Sequence, residues 1–261
     1  MVTLHGRSLQ PCGTHTRFTE EAADGDATQA ACPHDKYWAQ RYRFFSRFDD
    51  GCRVTGDMWF SVTPEVVAIH QARRLARLVH GGPAKGKHAA HVAGKVMLVL
   101  DAFAGCGGNA IACAREHAYV VACDLSPLRL AETQHNAGVY GVAQYVDCVA
   151  ADWTSLAEAM FRHGRSDLAQ AVFLSPPWGG PAYSEADTFD LPQAPLAGGQ
   201  TARQLLSAAL HLAPAAAVFL PRNVRLGDVV QMATEAGADR AVMEQAVLNG
   251  KFKAVRPPVP T

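Results

Sequence analysis

Long apolar runs are missing from this 261-residue chain, and none reaches the roughly 18 residues that a membrane-spanning helix requires. The first residues, MVTLHGRSLQPCGTHTRF, contain no apolar core of the kind a signal peptide carries, so the expected location is nuclear and/or cytoplasmic rather than secreted. Cysteine pairs are missing as well. The seven cysteines (Cys12, Cys32, Cys52, Cys106, Cys113, Cys123 and Cys148) form an odd set without a CxxC, which fits neither a disulfide framework nor a zinc site and predicts free thiols. Among 11 histidines there is no HxxxH or HExxH, and no metal site is expected. Excess charge is also lacking. Lys and Arg number 24 against 24 Asp and Glu, which disfavours non-specific wrapping of a long polyanion but leaves a small charged nucleotide as a compatible ligand. No internal repeat or low-complexity segment interrupts the chain.

What is present is an ordinary globular composition, 49% hydrophobic and 18% charged, long enough for one catalytic-size domain with an extension. Residues 1–32 have no hydrophobic period and predict a flexible N-terminal arm. Residues 33–94 read as a helical extension followed by a linker. In KYWAQRYRFFSRFDDG the aromatics and bases fall at helical spacings, and TPEVVAIHQARRLARLVH begins with Thr63 as N-cap, Pro64 at the first helical position and Glu65 in the first turn. Phe44, Phe45 and Phe48 are expected to pack that segment rather than to stack on a ligand. The Gly-, Pro- and Lys-bearing stretch GGPAKGKHAAHVAG then leads into residues 95–256, where strand and helix patterns alternate: KVMLVLDAF, NAIACAREH, YVVACDL, PLRLAETQHNAGVYG, QYVDCVAADW, AVFLSPPW and AAAVFLPRN among them. Strands separated by helices of this length predict an α/β fold with a mostly parallel sheet. The end of this region supplies a last helix and an antiparallel pair, and residues 257–261 form a Pro-rich tail.

DAFAGCGGNA follows a strand and opens a helix. Gly105, Gly107 and the small Ala110 satisfy a dinucleotide fingerprint, so an NAD site is one reading. The carboxylates favour another. Asp101, four residues before the first glycine, would repel a pyrophosphate but accept from an ammonium. Asp124 ends the next strand, where it can accept from both ribose hydroxyls, and Asp152 ends a third, where it can accept from an adenine amine. An adenosine with an amino-acid tail and no phosphate accounts for all three, and S-adenosylmethionine is such a molecule. Phe103 and Asn109 in the same turn, Leu125 after Asp124 and Trp153 after Asp152 complete the candidate cofactor set.

After the apolar AVFL comes SPPWGGPAY. Prolines cannot donate to a ladder, so the strand ends near Leu174 and a stiff loop follows at its carboxyl end, where open α/β sheets bind ligands. Methyl transfer to the exocyclic amine of a purine requires alignment, because the amine's lone pair is delocalised into the ring. Ser175 Oγ and the Pro176 carbonyl are acceptors able to orient such an amine, and Trp178 offers a stacking plane that prefers a cationic base. These three are the candidate catalytic residues.

Taken with KYWAQRYRFFSRFDDG, WFSVTPE, DAFAGCGGN, HNAGVYG and FLPRN in this order, SPPWGGPAY resembles the trimethylguanosine synthases, which methylate the exocyclic amine of 7-methylguanosine RNA caps. The similarity runs from about residue 35 to about residue 255. It implies a class I S-adenosylmethionine-dependent methyltransferase, with a Rossmann-like, mostly parallel seven-stranded sheet and a small N-terminal helical extension acting as a lid. By resemblance, Trp178 stacks on the methylated guanine with Ser175 and Pro176 near its amine, and Asn136 helps to hold the nucleotide. Arg53, Tyr183, Arg222 and Asn223 face the cap phosphates, while Phe60 and Thr63 close over the cofactor. The chain departs from the pattern in reading AGCGGN where CGVGGN is expected, and in placing His135 before Asn136 where relatives often carry a second asparagine.

The expected reaction moves a methyl group from S-adenosylmethionine to position 2 of a 7-methylguanosine cap, on capped RNA or a free cap nucleotide, giving di- or trimethylguanosine. A methyltransferase acting on a base amine within DNA or ribosomal RNA is an alternative that would need a flipped base and a longer basic surface. A catalytically silent cap-binding adaptor is another.

Overall fold

The computed structural model describes residues 2–5, 13–18, 35–80, 96–165, 168–179, 186–248 and 251–252. In chain order its strands are β1 (Val2–His5), β2 (Gly13–Phe18), β3 (Met97–Asp101), β4 (Ala118–Asp124), β5 (Val146–Ala150), β6 (Ala171–Leu174), β7 (Ala215–Val218), β8 (Arg240–Leu248) and β9 (Lys251–Phe252). The helices are α1 (Asp35–Trp38), α2 (Arg41–Phe44), α3 (Met58–Ser61), α4 (Glu65–His80), α5 (Gly108–Arg115), α6 (Pro127–Val139), α7 (Trp153–Arg162), α8 (Ala202–Leu212) and α9 (Leu226–Glu235).

Five short apolar strands make the parallel heart of the sheet, in the order β5-β4-β3-β6-β7. Their side chains alternate between two cores. Val99, Phe173 and Ala217 face one side with Ile111, Leu130 and Leu75; Leu100, Val172, Leu174 and Val218 face the other with Leu205, Leu206 and Val229. Helices α4, α5 and α6 therefore cover one face and α7, α8 and α9 the other, the three-layer arrangement that right-handed βαβ crossovers impose. Local signals set the helix starts. Ser126 Oγ accepts from the Arg129 amide ahead of α6, Asp152 caps α7, and Thr201 with Gln204 forms a capping box on α8.

The sheet departs from the seven strands expected. Nine are present among the described residues, because the N-terminal segment contributes two. β1 runs antiparallel between β7 and β8, with Val2 opposite Val218 and Met243, and β2 pairs in parallel with β8. Since β7 and β8 point the same way, an antiparallel strand between them satisfies the facing ladders of both. The expectation of a wholly flexible arm is thereby corrected for residues 2–5 and 13–18; the remainder of the arm, and residues 257–261, lie outside the described residues. The antiparallel pair expected near the C-terminus is β8 with β9.

The aromatic segment expected to be helical is broken into single turns. α1 and α2 are each four residues long, and Phe45 leaves the helix with φ −141° and ψ 110°. Packing decides this. Phe45 packs at a tilt against Tyr140, centroids 6.1 Å apart and planes at 53°, while Trp38, Phe44 and Phe48 gather around Trp59. A continuous helix could not deliver all of these rings to one buried cluster. α4, by contrast, is a full layer helix with Val67, Ala68, Ala72 and Leu75 buried, so the extension is fused to the sheet domain rather than hinged beside it.

One carboxylate secures that fusion. Glu65 accepts from the Ser46 amide (2.5 Å) and hydroxyl (3.1 Å), from Tyr140 (2.7 Å) and from Arg115 (2.5 Å). Burial alone would raise its pKa, but these hydrogen bonds outweigh burial and hold the carboxyl below its ordinary value.

Candidate active site

In the order β5-β4-β3-β6-β7 all strands run parallel, but the chain adds β4 and β5 on one side of β3 and β6 and β7 on the other; a cavity of about 520 Å³ opens at this switch point, at the carboxyl ends of the strands. The loop after β3 forms one wall and the loop after β6 the other. They are tied at the base, where the Ala102 amide donates to the Phe173 carbonyl (3.0 Å).

The β3 loop turns back on itself through two left-handed glycines, Gly105 (φ 57°) and Gly107 (φ 95°). At Gly105 a side chain would collide with Met58 Sδ, so the turn and α3 touch directly. The Gly105 amide donates to Asp124 Oδ2 (3.0 Å), and the Ser126 amide donates to Oδ1 (2.9 Å). Asp124 is 7% exposed, lines the cavity and retains a second lone pair on each oxygen, the requirement for a ribose acceptor. Asp152 lines it too. Its Oδ1 takes bonds from Thr154 and from the Ser155 amide and hydroxyl, which lower its pKa, and Oδ2 takes no part in them. Phe103, Leu125 and Trp153 complete this wall, and the buried indole N–H of Trp153 has no partner among the described residues. A glycine cradle, a doubly braced carboxylate and apolar rings fit an adenosine with an amino-acid tail.

Three predicted cofactor residues sit differently from expectation. Asp101 is 2% exposed and lies beneath the wall rather than in it. Burial pushes its carboxyl up to about 7, with the Phe103 and Ala110 amides opposing and Asp124 adding to the rise. Asn109 lines the cavity, but its Nδ2 donates to Gln71 Oε1 of α4 (2.8 Å), so it also anchors the extension. Gly107 is likewise structural, since a side chain there would meet Thr133 and Ile111.

On the opposite wall stand Ser175, Pro176, Pro177 and Trp178, with Arg222 beside them. The Trp178 ring meets Phe189 edge-on, centroids 5.7 Å apart and planes at 88°. Phe189 is in turn bridged to Val224, its amide donating to the Asn223 carbonyl, so the loop and the PRN segment brace each other. Asn223 donates to the Ala186 carbonyl (2.9 Å) and is not in the cavity wall. Tyr183 lies outside the described residues.

Asn136 and Arg53 need correction as cavity residues. Asn136 is fully buried, and its amide clamps backbone: Oδ1 accepts from Arg53 N–H (2.7 Å), while Nδ2 donates to the Arg53 and Cys106 carbonyls (2.8 and 2.9 Å). It joins the extension to the glycine turn. The Arg53 side chain is exposed and outside the wall.

Phe60 and Thr63, expected to close over the cofactor, line the cavity. Sequence reasoning missed Met58, Arg43 and Arg129, which also line it, and Phe189, which supports Trp178. Met58 immediately precedes the quoted WFSVTPE, and only the bare Gly105 opposite hinted at a neighbour. Among the described residues no three His, Cys, Asp or Glu side chains gather as metal ligands, and no helix is long and apolar enough to cross a membrane.

Residues 96–256 match the family model described as RNA cap guanine-N2 methyltransferase. The chain belongs to the RNA cap guanine-N2 methyltransferase family. It is 34% identical over 199 residues to the trimethylguanosine synthase of Schizosaccharomyces pombe, spanning 76% of this chain and 73% of that protein. It is 35% identical over 196 residues to the trimethylguanosine synthase of Saccharomyces cerevisiae, spanning 74% of this chain and 56% of that one. The crystal structure of a SAM-dependent methyltransferase from Agrobacterium tumefaciens superposes with a TM-score of 0.51 at 14% identity, over 76% of this chain and 59% of that one, a likeness of fold. Membership in the cap guanine-N2 methyltransferases makes S-adenosylmethionine the methyl donor and the cap guanine the acceptor.

Proposed function

We propose that this cap guanine-N2 methyltransferase takes 7-methylguanosine, on capped RNA or as a free cap nucleotide, against the SPPW wall and methylates its exocyclic amine to give di- or trimethylguanosine. Its setting is nuclear and/or cytoplasmic RNA processing. The observation that carries this reading is that Ser175–Trp178 and the Asp124 glycine turn form opposite walls of one cavity at the switch point.

Bound S-adenosylmethionine supplies an electrophilic methyl carbon. The protein's task is to hold the amine in line with it. Ser175 Oγ and the Pro176 carbonyl accept from the amine, and the two prolines keep those acceptors from turning away. Trp178 fixes the plane of the base, and the positive charge of a 7-methylated ring strengthens the stack relative to guanine. Arg222, at the edge of the same wall, faces the phosphates. The methylated amine gives up its proton to water. Asp124 holds the ribose, Asp152 the adenine amine, and Phe60 and Thr63 cover the cofactor.

Tryptophan fluorescence titration with 7-methyl-GTP and GTP tests the stacking role. Base–aromatic stacking is worth about 1–3 kcal/mol, so Trp178→Ala should weaken 7-methyl-GTP binding roughly 5- to 150-fold while leaving S-adenosylhomocysteine affinity intact. Undiminished cap affinity in the variant would refute it.

A further inference from the structure

Arg129 has no part in the roles assigned so far, yet it touches both halves of the cofactor site. It lies in the first turn of α6, its amide held by Ser126 Oγ (3.4 Å), and it lines the cavity. Nη2 donates to Asp57 Oδ2 (2.7 Å) across 72 residues of sequence, and Nη1 is 3.7 Å from Asp124 Oδ1. Asp57 stands at the N-cap of α3, where an aspartate normally accepts from a helix amide, but it makes no such bond; its carboxylate is turned to Arg129 instead. α3 carries Met58, packed on Gly105, and Phe60, which is 36% exposed at the cavity. The contacts close a ring: Asp57 to Arg129, Arg129 to Asp124, Asp124 to the Gly105 amide, and Gly105 to Met58 beside Asp57.

We propose that Arg129 is a positioning residue that latches α3, through Asp57, to the carboxylate that receives the cofactor's ribose. The inference rests on the reading of Asp124 as ribose acceptor. Ribose hydroxyls that donate to Asp124 fix its carboxylate, the fixed carboxylate fixes the guanidinium, and the guanidinium holds α3 with Phe60 over the cofactor. Disrupting the latch therefore weakens the cofactor without touching the cap wall. Both partners are partly exposed, with side chains 33% and 53% accessible, so the effect is that of a screened ion pair rather than a buried one.

Calorimetric titration with S-adenosylhomocysteine, together with steady-state kinetics, tests this in the full-length protein. Asp57→Asn and Arg129→Gln should each raise the Kd and the KM for S-adenosylmethionine about three- to fivefold, with the KM for 7-methyl-GTP unchanged. The double variant should be no worse than the more severe single one, and Arg129→Lys should recover part of the loss because an ammonium can reach only one carboxylate at a time. Hydrogen exchange at residues 57–61 should slow on S-adenosylhomocysteine binding in the parent and not in Asp57→Asn. Asp124→Asn is the control for the underlying reading, with an expected loss of about tenfold or more. If Asp124→Asn binds normally, the ribose assignment fails and the latch with it. If Asp124→Asn is impaired while Asp57→Asn binds normally, or if the two latch variants add, the latch alone is overturned.

Discussion

Glu65 ties the helical extension to the sheet domain, and its replacement should separate stability from chemistry. Glu65→Ala removes the acceptor for Ser46, Tyr140 and Arg115 together, leaving a half-buried tyrosine hydroxyl and a guanidinium without their partner. Breaking a buried ion pair costs about 3–5 kcal/mol and each stranded polar group about 1–3. The Arg115 side chain is 37% exposed and rehydrates, so the lower end applies, and about 2–3 kcal/mol is expected. In a domain of this size that lowers Tm by roughly 5–10 °C. Urea denaturation followed by circular dichroism measures it. The pH dependence carries a definite sign. The folded pKa of Glu65 lies below the unfolded value of about 4.3, so its contribution is complete above that pH and lost as pH falls through the folded pKa. The parent and Glu65→Ala curves should therefore converge in acid. A variant within 0.5 kcal/mol of the parent at neutral pH would refute the anchoring role.

Phe189→Leu keeps the core filled but removes the ring that meets Trp178 edge-on, so cap affinity should fall several-fold with cofactor affinity unchanged; equal losses for both ligands would show a general unfolding of the wall. Gly107→Ala places a Cβ 3.1 Å from Thr133 at φ 95°, and a destabilisation of about 1–3 kcal/mol by thermal or urea unfolding is expected. Asp101, raised to about 7 by burial, keeps in the folded state a proton that the unfolded chain releases near pH 3.9, so its contribution to stability declines as pH rises from about 4 to 7. A cationic cofactor favours the ionised form, so S-adenosylmethionine affinity should increase up to about tenfold between pH 6 and 7.5, a dependence that Asp101→Asn should abolish in calorimetry.

The parts of the site legible in the sequence were those whose chemistry is local. Asp124 ends β4, Asp152 follows β5 by two residues as the N-cap of α7, and Ser175–Trp178 follows β6, so apolar runs followed by carboxylates or prolines placed them at the carboxyl edge of the sheet without a structure. Long-range partners were not legible. Asn136 sits in a conspicuous HNAGVYG segment, yet its amide is committed to the backbone of Arg53 and Cys106, 83 and 30 residues away, a fact no spacing encodes. The Gln71–Asn109 bond and the Glu65 cluster belong to the same kind. The N-terminal strands escaped notice because VTLH, although it alternates, is only four residues long and GTHTRF carries a single large apolar residue; β1 is placed by the gap between β7 and β8, and β2 by the outer edge of β8. The aromatic segment misled in the opposite way, since helical spacing in KYWAQRYRFFSRF reflects rings collected around Trp59 by separate turns.

The most direct measurement incubates the purified protein with isotopically labelled S-adenosylmethionine and, in parallel, with 7-methyl-GTP, GTP and ATP, and resolves the products by mass. Label confined to 7-methyl-GTP, as one or two added methyl groups on the exocyclic amine, is the predicted result. Equal labelling of GTP or ATP, or no label on any of the three, would contradict the assignment of a 7-methylguanosine cap to the Trp178 wall.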